Sequence, residues 1–304
     1  MKKLKKLLLS VGAFVLAASA YAQTSVPIVW PFAPGSNQAN FARAIIEEAN
    51  KQQNKYVFYF ENKVGAGGAI AANYVTNYNG VALLHSSSTF FVRPVYYPNE
   101  SHKVSDFVPV AIQCTGQPFV IVGAKYRNIA ELRGQNKLST GVILGSLTEA
   151  LARALKVNLP QNIDVAFVGY QNSLQPTQDM LGGTLDLNVA LPMDVMQWIE
   201  NGKAHVIGIS GTKDFANMRS FSSQGIRGFE DLVANYHLLA SAKTDPAVVQ
   251  ELHIILRKAI KDSSKLATLY KADYCTQVDV DLKTSNEMYD RWSRNWTNWL
   301  RKAN

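Results

Sequence analysis

A repeated order of apolar run, polar or glycine-rich loop and helix-like segment constrains the fold of this chain more than any other feature. It is clearest in residues 57–72, where the β-branched and aromatic run Val57 to Phe60 precedes Gly65, Gly67 and Gly68 and then an alanine-rich segment. Strands that alternate with helices in this way form a mostly parallel sheet flanked by helices, and their loops gather at the carboxyl ends of the strands. The order therefore predicts an α/β fold.

The same order occurs on both sides of that stretch. Apolar runs at Pro27 to Phe32 and at Val81 to His85 each end in a polar loop, and the order starts again at Leu138 and at Ile163 to Val168. The 282 residues that follow residue 22 (304 minus 22) also reach the length of about 250 to 300 residues at which one hydrophobic core usually stops growing. We therefore predict two domains, each a mostly parallel sheet flanked by helices, with a ligand in the cleft between them.

The N-terminal segment has the three parts of a secretory signal peptide. Lysines form a basic head in residues 2–6, residues 7–18 are mostly apolar, and Ala20-Tyr21-Ala22 is a small-x-small cleavage site before Gln23. No later apolar run reaches the roughly 18 residues of a membrane-spanning helix, so membrane insertion is not expected. The predicted boundaries are 1–22 for the signal peptide, 23–117 plus 241–304 for the first domain and 118–240 for the second, with hinges near 116–118 and 239–242.

Charge and cysteine content narrow the function classes. Without the lysines of the signal peptide, 27 basic residues face 23 acidic ones, and they form no basic block. A surface for nucleic acid would show clustered Lys and Arg, so nucleic acid is not an expected partner. The two cysteines, Cys114 and Cys275, lie far apart in sequence. In an oxidising compartment they either form a disulfide or stay as free thiols, and their spacing leaves both possibilities open.

The glycine loop, residues 65–68, is a candidate anion site. Glycines before a helix let backbone N–H groups approach a ligand closely, and the positive end of the helix dipole favours a carboxylate or a phosphate. Two established motifs do not fit, because Ile70 stands at the third glycine of a dinucleotide-binding motif and no Gly-Lys-Ser/Thr follows for a P-loop. An ordinary turn without a ligand is the alternative interpretation.

Five short motifs follow one another in an order that is similar to a known family. They are Pro31-Phe32-Ala33-Pro34-Gly35, the Asn-x-x-Gly-Ala-Gly-Gly motif at 62–68, Val168-Gly169-Tyr170, the segment Asp179 to Leu187, and Asn201-Gly202-Lys203. Together they resemble the substrate-binding proteins of tripartite tricarboxylate transporters, the Bug family, over nearly the whole chain after residue 22. The resemblance implies a periplasmic two-domain protein that closes on a small carboxylate and delivers it to membrane transporter subunits. We expect it to act as a monomer and to need no cofactor.

The resemblance also implies which loops bind the ligand. In the family, a carboxylate is typically held by backbone groups and ordered waters at the loops between strands and helices. Carried onto this sequence, the candidate ligand-binding residues are Phe32, Ala33, Gly35, Ser36, Gly65, Ala66, Gly67, Gly68, Ser87, Ser88, Thr89, Gly145, Ser146 and Tyr170.

Five positions depart from the family pattern. Two of them are Gly169 and Gln171, which stand where a Pro and a Lys are common near Tyr170. Members usually have Pro-Gly-Gly-x-x-Asp in the first loop, whereas this chain has Ser36 at the second glycine and Ala39 at the acid. Glu149 stands where a histidine often follows the Gly-Ser of the second domain. Because Ala39 lacks the acid that could pair with a ligand ammonium group, the sequence predicts a mono- or dicarboxylate without an essential amine.

An enzyme and a signalling receptor are the alternatives to a transport protein. The five histidines show no metal-binding spacing, and the chain has no Gly-x-Ser-x-Gly nucleophile elbow. We therefore expect no catalytic activity. A periplasmic receptor for a sensor kinase would share all of these features, so the sequence leaves transport and signalling open.

Overall fold

The computed structural model describes residues 23–159 and 163–302, and the predicted signal peptide lies outside them. The strands are β1 (Thr24–Trp30), β2 (Tyr56–Asn62), β3 (Leu83–Ser86), β4 (Phe107–Gln117), β5 (Val120–Gly123), β6 (Lys137–Val142), β7 (Asp164–Gly169), β8 (Leu187–Ala190), β9 (His205–Ile209), β10 (Ala234–Ser241) and β11 (Thr276–Gln277). The α-helices are α1 (Ala39–Gln52), α2 (Ala69–Thr76), α3 (Thr89–Tyr96), α4 (Leu147–Asn158), α5 (Leu174–Leu181), α6 (Pro192–Glu200), α7 (Pro246–Asp262), α8 (Ser264–Ala272) and α9 (Leu282–Lys302).

These elements form two sheets flanked by helices, which confirms the predicted α/β fold. The first sheet has the order β11-β4-β10-β3-β1-β2, and the second has the order β7-β6-β8-β5-β9. The predicted parallel pairing holds where strands alternate with helices, since β1 pairs parallel with β2 and β3, and β6 with β7 and β8. The remaining neighbours in both sheets pair antiparallel, so each sheet is mixed.

Strand β10 corrects one predicted boundary. Residues 234–240 were assigned to the second domain, but they pair with β3 and β4 in the middle of the first sheet. The chain therefore passes to the second sheet between β4 and β5 and returns between β9 and β10, not near 239–242. The run is buried along most of its length, so it lacks the alternation of apolar and polar residues that marks a half-buried strand.

The C-terminal helices pack against elements of the first sheet. Helix α7 packs on α1 and β4, and α9 packs on α3 and β4. A disulfide joins Cys114 of β4 to Cys275, with 5.6 Å between their Cα atoms, and decides the question that the cysteine spacing left open. Within the part of the chain that the structure describes, no helix has the length and apolar character needed to cross a membrane.

Candidate ligand-binding site

A cavity of about 80 Å³ lies between the two sheets and has walls from both domains. The elements of the first sheet contribute Trp30, Phe32, Ala33, Ser36, Gln38, Ser87, Thr89 and Tyr236. The second part of the chain contributes Phe119, Ile143, Ser146, Leu147, Thr148, Asn172, Ser173, Val189, Ala190, Leu191 and Asp194. Most of these residues lie in loops that follow strands, which is where a parallel α/β arrangement collects its ligand-binding groups.

Six of the predicted ligand-binding residues line this cavity. They are Phe32, Ala33, Ser36, Ser87, Thr89 and Ser146. The side chain of Asn62, at the end of β2, holds the first of these loops in place, because its Nδ2 donates hydrogen bonds to the carbonyl oxygens of Trp30 at 2.9 Å and Phe32 at 2.7 Å. The asparagine of the glycine-loop motif thus shapes the neighbouring loop.

The glycine loop itself lies beside the cavity. Gly67 and Gly68 line a separate space of about 10 Å³, which is enough for one water molecule at most. Gly67 has a left-handed backbone, with φ +55°, and packs on the second domain: a Cβ at this position would lie 2.8 Å from the carbonyl oxygen of Leu144. The loop is therefore a point of contact between the domains.

The other predicted residues take structural positions outside the cavity lining. Ser88 is fully buried, and its Oγ accepts hydrogen bonds from the backbone and side-chain nitrogens of Asn235 at 3.1 and 3.2 Å. The Tyr170 hydroxyl donates to Asp179 at 2.5 Å. Gly35 and Gly145 lie in loops that reach the cavity but do not line it, and Gly65 and Ala66 belong to the glycine loop beside it.

Glu149, which replaces a common family histidine, is also structural. It is 1% exposed, accepts a hydrogen bond from the backbone N–H of Gly145 at 2.7 Å and forms an ion pair with Arg153 at 2.8 Å. The hydroxyl of Tyr97, from the first domain, donates to the same carboxylate at 3.2 Å. Because Glu149 already takes the N–H of Gly145, that group is not available to a ligand.

Among the described residues, five helices of eight or more residues begin at the cavity wall. The residues at these starts that line it are Gln38 of α1, Thr89 of α3, Ser146 of α4, Ser173 of α5 and Leu191 of α6. The first turn of a helix has unpaired backbone N–H groups and carries a partial positive charge, so convergent helix starts create a positive potential without a cationic side chain. Such an arrangement favours an anion.

Hydroxyl groups add side-chain donors to this setting. Ser36 Oγ is buried and makes no hydrogen bond with any residue in 23–159 or 163–302. Ser87 Oγ accepts from the backbone N–H of Thr89 at 3.4 Å, which leaves its own proton free to be donated. Thr89 Oγ1 accepts from the N–H of Leu147 at 3.3 Å and so connects the two domains at the cavity.

Asp194 is the residue of greatest consequence that the sequence analysis missed. Among the residues that the structure describes, it is the only charged side chain in the cavity lining, and it is 4% exposed. Asn37 Nδ2 of the first domain donates to its Oδ1 at 3.0 Å, while Oδ2 has no hydrogen-bond partner among the described residues. Burial raises the pKa of this carboxyl, and the nearby Asn37 amide and Ser173 hydroxyl partly oppose the rise.

A second buried acid, Asp273, stands behind the cavity and joins the domains. Its carboxylate accepts hydrogen bonds from Gln38 Nε2 at 3.2 Å, from the Gln117 side chain, and from the backbone N–H of Met193 at 3.0 Å. Burial raises the pKa of Asp273 to about 7, with a further contribution from the negative charge of Asp194. The start of α6 is therefore held from the first domain by Asn37 and Asp273.

Comparison with known proteins identifies the family. The profile of the tripartite tricarboxylate transporter family receptor matches residues 41–295. The chain belongs to this family. It is also 23% identical over 266 residues to the UPF0065 protein in the gbd 5' region of Cupriavidus necator, covering 84% of this chain and 80% of that protein.

Several solved structures have the same fold as this receptor. The periplasmic binding protein BugD superposes with a TM-score of 0.81 at 21% identity, covering 93% of this receptor and 98% of BugD. A Rhodopseudomonas palustris protein solved with adipate gives a TM-score of 0.79 at 18% identity and covers 92% of this receptor and 97% of that chain. MatC from Rhodopseudomonas palustris, with bound malate, gives 0.78 at 19% identity, covering 91% and 98%.

Proposed function

We propose that this receptor is exported to the periplasm, captures a small carboxylate in the cavity between its two domains and delivers it to a tripartite membrane transporter. Family membership supports the transport role, and two structures with the same fold contain carboxylates, adipate and malate. The observation within the chain that carries the proposal is the convergence of five described helix starts on one cavity between the domains whose described lining includes no cationic side chain. The helix starts suit the carboxylate group of a small ligand, which accepts hydrogen bonds from their free backbone N–H groups.

Binding energy in such a site comes from hydrogen bonds to the charged ligand. Each backbone N–H or hydroxyl that donates to a carboxylate contributes about 1.5 to 3 kcal/mol net, so three or four of them suffice for micromolar affinity of about 8 kcal/mol. The chain crosses between the sheets twice, between β4 and β5 and between β9 and β10. Rotation about these two connections would open the cavity to solvent and close it around the ligand.

Ligand capture is tested on protein purified from the periplasm. Native mass spectrometry should find a small carboxylate bound, and thermal-shift assays with succinate, malate and adipate should raise the melting temperature with increasing concentration. A bound molecule without a carboxylate, together with no thermal response to any carboxylate, would contradict the proposal.

Delivery is tested separately in cells. Deletion of the gene for this receptor should abolish uptake of the identified carboxylate, and supplying the receptor again should restore uptake. If uptake is unchanged while a transcriptional response to the carboxylate disappears, the receptor serves a sensor instead of a transporter.

A further inference from the structure

We propose that Asp194 selects ligands that carry a protonated amino group beside their carboxylate, so that the bound molecule is a zwitterion. The inference rests on the proposed function and deepens it, because it names the chemical class of the carboxylate. It replaces the expectation of an amine-free ligand, which assumed that the absence of an acid at Ala39 leaves the cleft without one.

The two oxygens of the Asp194 carboxylate have different surroundings. One oxygen, Oδ1, is held by Asn37 across the domain boundary, and the other, Oδ2, is buried at the cavity without a hydrogen-bond partner among the described residues. A buried carboxylate oxygen without a donor is costly, and native proteins leave few of them. A ligand in the cavity that supplies a donor to Oδ2 removes this cost.

The charges around Asp194 favour an ammonium group as the donor to Oδ2. The cavity lining within the described residues has no cation to balance Asp194, and Asp273 adds a second buried acid close behind it. A dicarboxylate would place a further negative charge near Asp194, and a hydroxyl would supply a hydrogen bond without balancing any charge. An ammonium group does both, since it donates to Oδ2 and neutralises the carboxylate.

The cavity offers separate places for the two ends of a zwitterion. The helix starts and the unpartnered hydroxyl of Ser36 provide donors for the ligand carboxylate. Asp194 provides the acceptor, on the second domain. A zwitterion therefore engages both domains at once, and closure around it leaves neither charge unpaired.

Isothermal titration of ligand-free protein with two matched series tests the preference. One series is aspartate, malate and succinate, and the other is leucine, 2-hydroxy-4-methylpentanoate and 4-methylpentanoate; within each, only the group at C2 changes. We expect the amino member to bind more tightly than its hydroxy and unsubstituted partners, by about ten-fold or more. A hydroxy or unsubstituted member that binds equally or better overturns the inference and leaves the carboxylate proposal standing. No binding in either series overturns both.

The variant D194N removes the charge and keeps the shape and the acceptor for Asn37. We expect it to lose about ten-fold or more in affinity for the amino member and to bind the unsubstituted member at least as well as the wild type does, which abolishes the discrimination. The control D164N removes an equal charge from the exposed Asp164 at the start of β7 and should leave all affinities unchanged. An equal loss for all three members of a series would make Asp194 a structural residue and refute the inference. If D194N does not fold, the ranking of the wild type still decides.

Discussion

The contact between Gly67 and the second domain provides a direct test of closure, through the variant Gly67→Ala. The added Cβ would lie 2.8 Å from the carbonyl oxygen of Leu144 and 3.3 Å from the carbonyl carbon and oxygen of Gly145, all of them backbone atoms of the other domain. These atoms cannot yield by changing a rotamer, so the two loops must separate. Overpacking of this kind costs about 1 to 3 kcal/mol.

Backbone strain and overpacking in Gly67→Ala affect different measurements. Strain lowers the melting temperature, and overpacking lowers the affinity for the ligand. The left-handed backbone of Gly67, with φ +55°, costs an alanine about 1 to 2 kcal/mol whether the domains are open or closed, which lowers the melting temperature by roughly 2 to 8 °C at this size. The overpacking acts only on the closed form. It should weaken ligand binding by about 5-fold to 150-fold, the equivalent of about 1 to 3 kcal/mol.

Gly183→Ala is the matched control. Gly183 also has a left-handed backbone, with φ +80°, but its added Cβ would meet no atom within 4 Å. Gly183→Ala should lose thermal stability but keep wild-type affinity for the ligand. The ligand in these titrations is whichever of aspartate, malate and succinate stabilises the wild type most. Wild-type affinity in Gly67→Ala would refute the view that these loops close on the bound form, and an equal loss in both variants would show that backbone strain alone is responsible.

Three further predictions concern stability. The disulfide closes a loop of 161 residues in sequence separation, so Cys275→Ser should lower the unfolding free energy by about 2 to 5 kcal/mol in urea titrations, and an unchanged midpoint would contradict this. Burial raises the pKa of Asp273 from 3.8 to about 7, so the folded state binds its proton more tightly than the unfolded state does. The wild type therefore loses stability as pH rises from about 4 to about 7 and no further above that, and Asp273→Asn should gain about 2 to 3 kcal/mol relative to the wild type between pH 5 and pH 8. A pH-independent difference would disprove that shift. Burial lowers the pKa of His237 to about 3, so its contribution is present above pH 6.5 and is lost on acidification; His237→Leu should be less sensitive by about 2 kcal/mol between pH 7 and pH 5, and equal acid sensitivity would count against it.

Local sequence was sufficient for the elements that follow short-range rules. The β-branched and aromatic run at 57–60 is part of β2, the alanine-rich segment after the glycines is α2, and the helix starts at Thr89 and Leu147 follow polar loops as predicted. Such patterns are readable because strand and helix periods, capping residues and glycine conformations depend on neighbours only a few residues away. The loops that line the cavity follow from the same rules, since parallel strands bring their carboxyl ends to one edge.

Asp194 shows why the chemistry of the site needed the tertiary structure. In sequence it is an acid in the first turn of a helix that begins with Pro192, a common position for a solvent-exposed residue that complements the helix dipole. Its burial and its contact with Asn37 depend on how the second domain meets the first, across 157 residues of chain. Pro192, two residues after the end of β8, is a local signal that a helix begins there.

The glycine loop and β10 also combine features that the local sequence predicts with features that only the tertiary structure decides. The local sequence predicts that the glycines let a ligand approach their backbone closely. In the structure, the atoms closest to an added Cβ at Gly67 are backbone atoms of Leu144 and Gly145. The apolar run of β10 could pair in either sheet by its composition, and its place between β3 and β4 was decided by long-range pairing. Sequence determined where the backbone can turn, bury or expose its groups. Only the packing of the two domains decided which groups meet, because those contacts join residues that have no local relation to one another.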